Sequence, residues 1–375
     1  MDNPFVISEK VIPKYFCDRK KESAQLISLV ENRNNVVLIA PRRIGKTALI
    51  QYCFEKTKIK KDYLTFYIDI LSTANLSEFI FILGKTIVEQ IQPLGKKMLT
   101  SFINNVKSLA GKLGFDPISG MPTINIQLGD ITQPEYTLQE IFKYLANAGK
   151  PCIVAIDEFQ QVAKYPERGV EALLRSHILQ INNCRFIFSG SERHLLQQMF
   201  STPARPFYNS SSLIELEAIP KKEYVEFIVD MFRKQHKNIA PGLAEEIYDK
   251  FDGYTFYVQR LCNSIFSLTP PEGSAHRDMM TESLSVILYS YDTLFRERLY
   301  TLSTRQKELL FAIAAEGRVS KINSVEFIQS HSLSSASAVQ TAMKALLRMD
   351  IVEKSMGEVF IVDKFFSLWV KKNYC

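Results

Sequence analysis

The sequence predicts an α/β domain built on a parallel sheet covered on both faces, followed by an α-helical domain and a C-terminal winged helix-turn-helix. Three observations carry this expectation. Apolar β-forming runs, "VVLIA", "DYLTFYIDIL", "PCIVAIDEF" and "CRFIFSGS", alternate with helical patterns between Val36 and Ser191. Strands that are apolar throughout are buried on both faces, as parallel strands under crossover helices are. A long helical stretch without strong strand signals follows, and the chain closes on three helical patterns and two short β runs, the order of a winged helix.

Taken in order, "FCDRKKESAQLISLVENRNN" has apolar residues at helical spacing, with Asp18 as its expected cap. The buried strand "VVLIA", the loop "PRRIGKT" and the helix "ALIQYCFEK" come next, then a second strand within Tyr63–Leu71. "NLSEFIFILGKTIVEQIQ" and "KKMLTSFINNVKSLAGKLG" read as helices, and "FDPISGMPTINIQLGD" as an inserted hairpin about a Gly-Met-Pro turn. "TLQEIFKYLANAGK" is expected to be a helix ending at glycine. The third and fourth strands, around Asp157 and Ser189, flank the helix "RGVEALLRSHILQIN". From "AIPKKEYVEFIVDMFRKQ" onward the pattern is helical, broken at "DGYT", until two strands turn at Met356-Gly357. These signals place domains at 1–215, 216–295 and 296–375.

A chain of 375 residues exceeds one comfortable core. Its 46% apolar and 23% charged content is that of an ordinary globular protein. A net charge of +6 permits a polyanionic partner without demanding one. The N-terminus lacks the charged and apolar regions of a signal peptide. The most apolar run, "EFIFILGK", is far below the ~18 residues that span a bilayer. Six scattered cysteines without C-x-x-C spacing read as buried reduced thiols, and no Cys/His cluster suggests a metal cage. A soluble cytoplasmic protein without a membrane partner is expected.

The chemistry concentrates in "VVLIAPRRIGKTALI", which follows the pattern G-x-x-x-x-G-K-[ST] with Ala40 in place of the first glycine. Such a loop binds phosphate through backbone N–H groups at a helix N-terminus, a lysine at the β/γ oxygens and a hydroxyl on Mg²⁺. Ala40, Pro41, Arg42, Arg43, Ile44, Gly45, Lys46 and Thr47 form the candidate ATP site, with Thr47 a Mg²⁺ ligand. The first glycine eases the strand-to-loop turn, and alanine can adopt the same backbone angles, so no functional group is lost. Arg42 and Arg43 could contact phosphates or a partner, or be solvated.

"CIVAIDEF" supplies the second half of such a site. Asp157 would hold Mg²⁺ through water, and Glu158 would activate the attacking water as general base. The plain alternative is a strand end with two solvated acids. A protein that only binds nucleotide needs the aspartate alone, so the pair favours turnover. At the end of "RFIFSGS", Ser189, chosen over Ser191, is read as the contact to the γ-phosphate or attacking water, against a capped strand end. A cation at the γ-phosphate is sought among Arg193, Arg205 and Arg175, with Arg205 assigned to the catalytic set, although each alone could be structural.

With these elements in order the chain resembles the archaeal-type ATPases of the STAND class, relatives of the AAA-type ATPases. The matching residues are "FCDR" (Phe16–Arg19), "APRRIGKT", "IDEFQ", "FSGS", "DGYTFYVQ" and "VDKFFSLWV". The resemblance implies that Phe16 and Arg19 lie near the nucleotide base, that the helical segment is a lid over ATP, and that the fold is a P-loop NTPase of the additional-strand type. Thr255 stands where the family's lid has proline, and "RPFYNS" carries its arginine before the aromatics. Many relatives continue into a nuclease-like extension, whereas this sequence stops at Cys375 and no nuclease activity is expected.

From Arg296 onward twelve Lys/Arg face eight Asp/Glu, a net of +4. In "SASAVQTAMKALLRMD" the spacing turns Val339, Met343 and Leu346–Leu347 inward and Ser337, Gln340, Thr341, Lys344 and Arg348 outward. That face can meet duplex DNA or a protein partner, and "FFSLW" is expected to pack the domain. The function expected is a Mg²⁺-ATP-dependent switch that acts through its winged helix. The alternatives are a nucleotide-binding scaffold without turnover and a DNA-associated helper ATPase forming homo-oligomers.

Overall fold

The computed structural model describes residues 2–7, 13–17, 19–110, 113–115, 122–124, 126–355 and 357–375. The chain divides into two compact units, Ser8–Ile219 and Pro220–Cys375, the first seven residues belonging to the second.

In the first unit, the helices are α1 (Lys20–Glu31), α2 (Lys46–Phe54), α3 (Thr57–Asp62), α4 (Leu76–Ile91), α5 (Lys96–Asn105), α6 (Lys107–Ala110), α7 (Pro134–Ala146), α8 (Val170–Gln180) and α9 (Arg193–Ser201). The strands are β1 (Val36–Ile39), β2 (Leu64–Asp69), β3 (Leu113–Phe115), β4 (Pro122–Ile124), β5 (Cys152–Asp157), β6 (Cys184–Gly190) and β7 (Ser212–Glu215). Five of them form one sheet in the order β2-β5-β6-β1-β7, parallel at every step. The central strands β1 and β5 are buried at every residue, whereas the edge strands β2 and β7 alternate or are half exposed. That difference explains why β7 escapes sequence reading: four residues with a single buried side chain, Ile214, carry no apolar run.

The sheet packs against α4 and α7 through Phe79, Ile80, Leu83, Leu138, Ile141 and Leu145, all buried. On the stretch after β5, Phe159 packs among Phe188, Phe200 and Phe207 in tilted and edge-on contacts at centroid distances of 4.5–5.9 Å. This aromatic cluster anchors the chain directly after the Asp157-Glu158 pair, so the acids sit on a stiff floor.

Several expectations change in detail. The helix at 134–146 ends at Asn147, whose side chain returns to the Lys143 carbonyl at 3.0 Å, not at the following glycine. The segment after Lys96 is two helices broken at buried Val106, and the Glu140 carboxylate accepts the Ser108 N–H that opens the second. The inserted hairpin is present as β3 paired antiparallel with β4, its turn lying outside the described residues. Asp18 also lies outside them; left-handed Arg19 occupies the N-cap position of α1.

The second unit holds α10 (Lys221–Arg233), α11 (Pro241–Lys250), α12 (Thr255–Leu268), α13 (Arg277–Ser290) and α14 (Asp292–Tyr300), with short strands β8 (Asn238–Ile239) and β9 (Ser274–Ala275) paired in parallel. The winged helix follows as α15 (Thr304–Glu316), α16 (Val325–Ser330), α17 (Ala336–Arg348), the antiparallel wing β10 (Val352–Ser355) and β11 (Glu358–Ile361), and α18 (Lys364–Tyr374). Of the inward set on α17, Val339, Met343 and Leu346 are buried but Leu347 is exposed; the five polar residues are all exposed. Phe365, Phe366 and Trp369 of α18 are buried as expected. The helical segment and the winged helix are tied together by Asp252, which pairs with Lys364 at 2.7 Å and Arg318 at 3.0 Å. All six cysteines are free thiols, five buried and Cys375 exposed, so the last departs from the expected burial. No helix among the described residues is long and apolar enough to cross a membrane.

Candidate nucleotide-binding site

The strand register gathers the site. Asp69 on β2 stands opposite Asp157 on β5, and Ile39 on β1 opposite Gly190 on β6. The carboxyl ends of adjacent parallel strands thus meet at one edge, where α/β sheets bind ligands. The phosphate loop leaves β1 at this edge and enters α2 at Lys46.

Gly45 is left-handed, with φ of 93°, at the N-cap of α2, a conformation that favours glycine. Arg43 is also left-handed, with φ of 65°. Ala40 is buried and is not among the left-handed residues, so glycine's freedom is not required there. Pro41 and Ile44 complete the turn, Ile44 buried beneath it. Arg19, buried behind the loop, donates to the Ile44 carbonyl at 2.9 Å and the Glu217 carbonyl at 2.7 Å. It therefore braces the loop, whatever the nucleotide base contacts. Phe16 stacks on Tyr52 of α2, ring centroids 4.1 Å apart.

The Lys46 ammonium lies 2.7 Å from Asp157 Oδ1 and 3.2 Å from Glu158 Oε1. Thr47 Oγ1 donates to Asp157 Oδ2 at 3.0 Å. Ser189, fully buried, donates to Asp157 Oδ1 at 2.7 Å, and its hydroxyl is thereby turned onto the aspartate. Ser191, the serine set aside in sequence reading, binds Glu158 twice: its N–H at 3.1 Å and its hydroxyl at 2.8 Å reach Oε2. Gln160 Nε2 donates to the same oxygen at 2.6 Å, and Arg42 Nε donates to Ser191 Oγ at 3.1 Å.

Two further residues join the site without any motif to announce them. Tyr67 on β2 donates its hydroxyl to Asp157 Oδ2 at 2.5 Å and lies 3.3 Å from Thr47 Oγ1. Asp69 sits beside Asp157, and burial, reinforced by the neighbouring acids, raises its pKa despite the Leu71 N–H and Lys46. Both depend on β2 pairing with β5, a crossover that no local pattern reveals. Of the candidate arginines, Arg205 pairs with Glu171 of α8 at 2.8 Å. Among the described residues neither it nor Arg175 nor Arg193 bonds to the Lys46–Asp157–Glu158 cluster.

Burial opposes ionisation of Asp157, but the Lys46 charge and hydrogen bonds from Lys46, Tyr67 and Ser189 outweigh it and hold the carboxyl below its usual range. Glu158 is likewise depressed: burial is outweighed by Lys46, Gln160 and Ser191, while Asp157 opposes them. Folded values below the unfolded ones of about 4 mean stabilisation that is complete above that pH and lost as pH falls through the folded values. The urea midpoint is therefore expected to be level from pH 8 to about 5 and to drop below about 4. The drop should be smaller in Asp157→Asn, and an equal drop would show that these acids do not cause it.

Gly190 reveals how closely the site is packed. A Cβ there would stand 1.9 Å from Gln160 Oε1 and 3.0 Å from its Cδ. Gly190→Ala must push the buried Gln160 off Glu158, an overpacking worth about 1–3 kcal/mol. In a Gln160→Ala background the same change should cost less than half as much by urea denaturation; equal costs would break the argument.

The donor set fits Mg²⁺: Thr47 Oγ1 and Asp157 Oδ2 are hard oxygens 3.0 Å apart at the N-terminus of α2. No cluster of three or more His, Cys, Asp or Glu suited to a metal occurs among the described residues.

Residues 293–372 match a family described as a probable winged helix domain. Curated relatives include an uncharacterized ATP-binding protein of Methanocaldococcus jannaschii, 27% identical over 170 residues, 42% of this chain and 40% of that one. The chain thus spans about two fifths of that relative's length. An uncharacterized ATP-binding protein of Pyrococcus abyssi is 25% identical over 321 residues, 78% of this chain and 81% of the relative. Among solved structures, the fold is shared with a Walker-type ATPase of Pyrococcus abyssi (20% identity, TM-score 0.66, 98% of this chain and 99% of that chain). It is also shared with the ORC2 protein of Aeropyrum pernix (15% identity, TM-score 0.60, 99% and 96%). With the P-loop NTPase sheet and its loop in place, residues 16–261 match the family described as an ATPase domain predominantly from Archaea, and the chain belongs to that family.

Proposed function

We propose that the chain binds and hydrolyses ATP with Mg²⁺ and acts as a STAND-like switch whose nucleotide state is passed to the winged helix. The observation that carries this reading is the convergence of Lys46, Thr47, Asp157 and Glu158 at one sheet edge, with Lys46 within 3.2 Å of both acids. The loop backbone and Lys46 bind the phosphates. Thr47 and Asp157 are the residues that would hold Mg²⁺, which when bound supplies charge neutralisation at the phosphate oxygens. Glu158 accepts the proton of the attacking water. Ser189 and Tyr67 keep Asp157 oriented.

Duplex DNA is the partner we favour for the winged helix. Ser337, Gln340, Thr341, Lys344 and Arg348 form one exposed polar face on α17, and an ORC1 protein of Aeropyrum pernix with the same fold was solved in complex with DNA (TM-score 0.54). The test is steady-state ATP hydrolysis with Mg²⁺, with and without duplex DNA, Glu158→Gln serving as blank. Turnover raised by DNA supports the whole reading; turnover indifferent to DNA points to a protein partner. Activity no higher than the blank leaves a nucleotide-binding scaffold.

A further inference from the structure

We propose that Ser191, together with Gln160, is a positioning residue that selects which oxygen of Glu158 takes the proton, and that Arg42 of the phosphate loop fixes Ser191 in that role. The assignment rests on the reading of Glu158 as the base and goes beyond it to the groups that aim it.

The Glu158 carboxylate is divided. Oε2 receives three donors, Ser191 N at 3.1 Å, Ser191 Oγ at 2.8 Å and Gln160 Nε2 at 2.6 Å. A carboxylate oxygen has about two lone-pair sites, so Oε2 is saturated. Oε1 meets the Lys46 ammonium at 3.2 Å, on the phosphate-loop side. When Lys46 turns to phosphate, Oε1 is the oxygen with a free lone pair, and it faces the loop.

The direction of the Ser191 proton is set as well. Arginine only donates. With Arg42 Nε directed at Ser191 Oγ at 3.1 Å, the single hydroxyl proton goes to Glu158. Arg42 belongs to the loop and Ser191 to the turn after β6, so a loop residue reaches the base through one hydroxyl. Gln160 is 1% exposed, and among the described residues its Oε1 has no hydrogen-bond partner beside Gly190. A polar side chain held there at that cost is held by its other end, on Glu158. Glu158 itself is left-handed, with φ of 57°, a strained backbone that persists where surrounding bonds over-determine it. Ser189, two residues earlier on the same strand face, serves Asp157 instead.

The experiment measures kcat and KM for Mg-ATP, and the ATP Kd by calorimetry, in the full chain carrying Ser191→Ala, Ser191→Thr, Arg42→Ala or Glu158→Gln. Misaiming a base costs on the order of 10- to 100-fold in rate, so Ser191→Ala is expected to lower kcat by that factor with KM and Kd within about twofold. Ser191→Thr should return kcat to within about threefold, and Arg42→Ala should lower it by about 3- to 10-fold. An unchanged kcat in Ser191→Ala beside an inactive Glu158→Gln overturns the positioning role and leaves the base intact. Failure of threonine to rescue also overturns it, since a bulk effect alone would then explain the loss. Full turnover in Glu158→Gln removes the base itself and this assignment with it.

Discussion

Lys46→Ala is expected to abolish ATP binding, with calorimetric affinity at pH 7 falling at least about 100-fold, roughly 2.7 kcal/mol. The larger consequence concerns the protein without nucleotide. Lys46 is a cation within bonding reach of both Asp157 and Glu158, whose side chains are 5% and 14% exposed. Removing it leaves two adjacent, largely buried acids without that counter-charge, and breaking a buried pair costs about 3–5 kcal/mol. Protonation of one acid limits that loss, so the variant's stability deficit should shrink as pH is lowered from 7 to 5. Asp157→Asn in the same chain should restore stability but not binding. Unchanged affinity in Lys46→Ala would remove the site altogether. A deficit independent of pH would show that the lysine is not the acids' counter-charge.

Glu158→Gln should trap ATP. Loss of a general base costs about 10²–10⁴ in rate, while the amide conserves volume. Its orientation is dictated by the donors around it. The oxygen must replace Oε2, facing Ser191 and Gln160, and the NH₂ then confronts the Lys46 ammonium across 3.2 Å. Two donors face one another until Lys46 is drawn to phosphate. The substitution therefore penalises the empty site more than the filled one, and ATP affinity should equal or exceed that of the wild type. Radiolabelled ATP should co-elute unhydrolysed from gel filtration. Wild-type turnover rejects Glu158 as base, and weakened affinity rejects the proposed orientation.

The legible part of this site is the part written in contiguous residues. Gly45, Lys46 and Thr47 are adjacent, and their place at the N-terminus of α2 follows from a loop that must turn from a strand into a helix. Asp157 and Glu158 are readable because a buried strand must end at the edge where the loop lies. The choice between Ser189 and Ser191 could not be read, since both close the run "RFIFSGS" two positions apart. Only the path of the backbone after Gly190 brings Ser191 to Glu158 and leaves Ser189 on Asp157. Arg205 reads as a catalytic candidate from its place in the chain, and its pairing with Glu171 at 2.8 Å is written in no local pattern.

The sequence by itself indicated the alternation of the main strands and helices and placed the loop and the acid pair within it, because each depends on residues within a few positions of one another. Burial patterns and turn preferences are local. Tertiary structure alone decided that β7 closes the sheet beside β1, that Tyr67 and Asp69 stand next to Asp157, and that Gln160 fills the space Gly190 leaves open. Those facts rest on pairings between strands far apart in the chain. Register across such crossovers is set by the packing of the whole sheet, not by any segment within it.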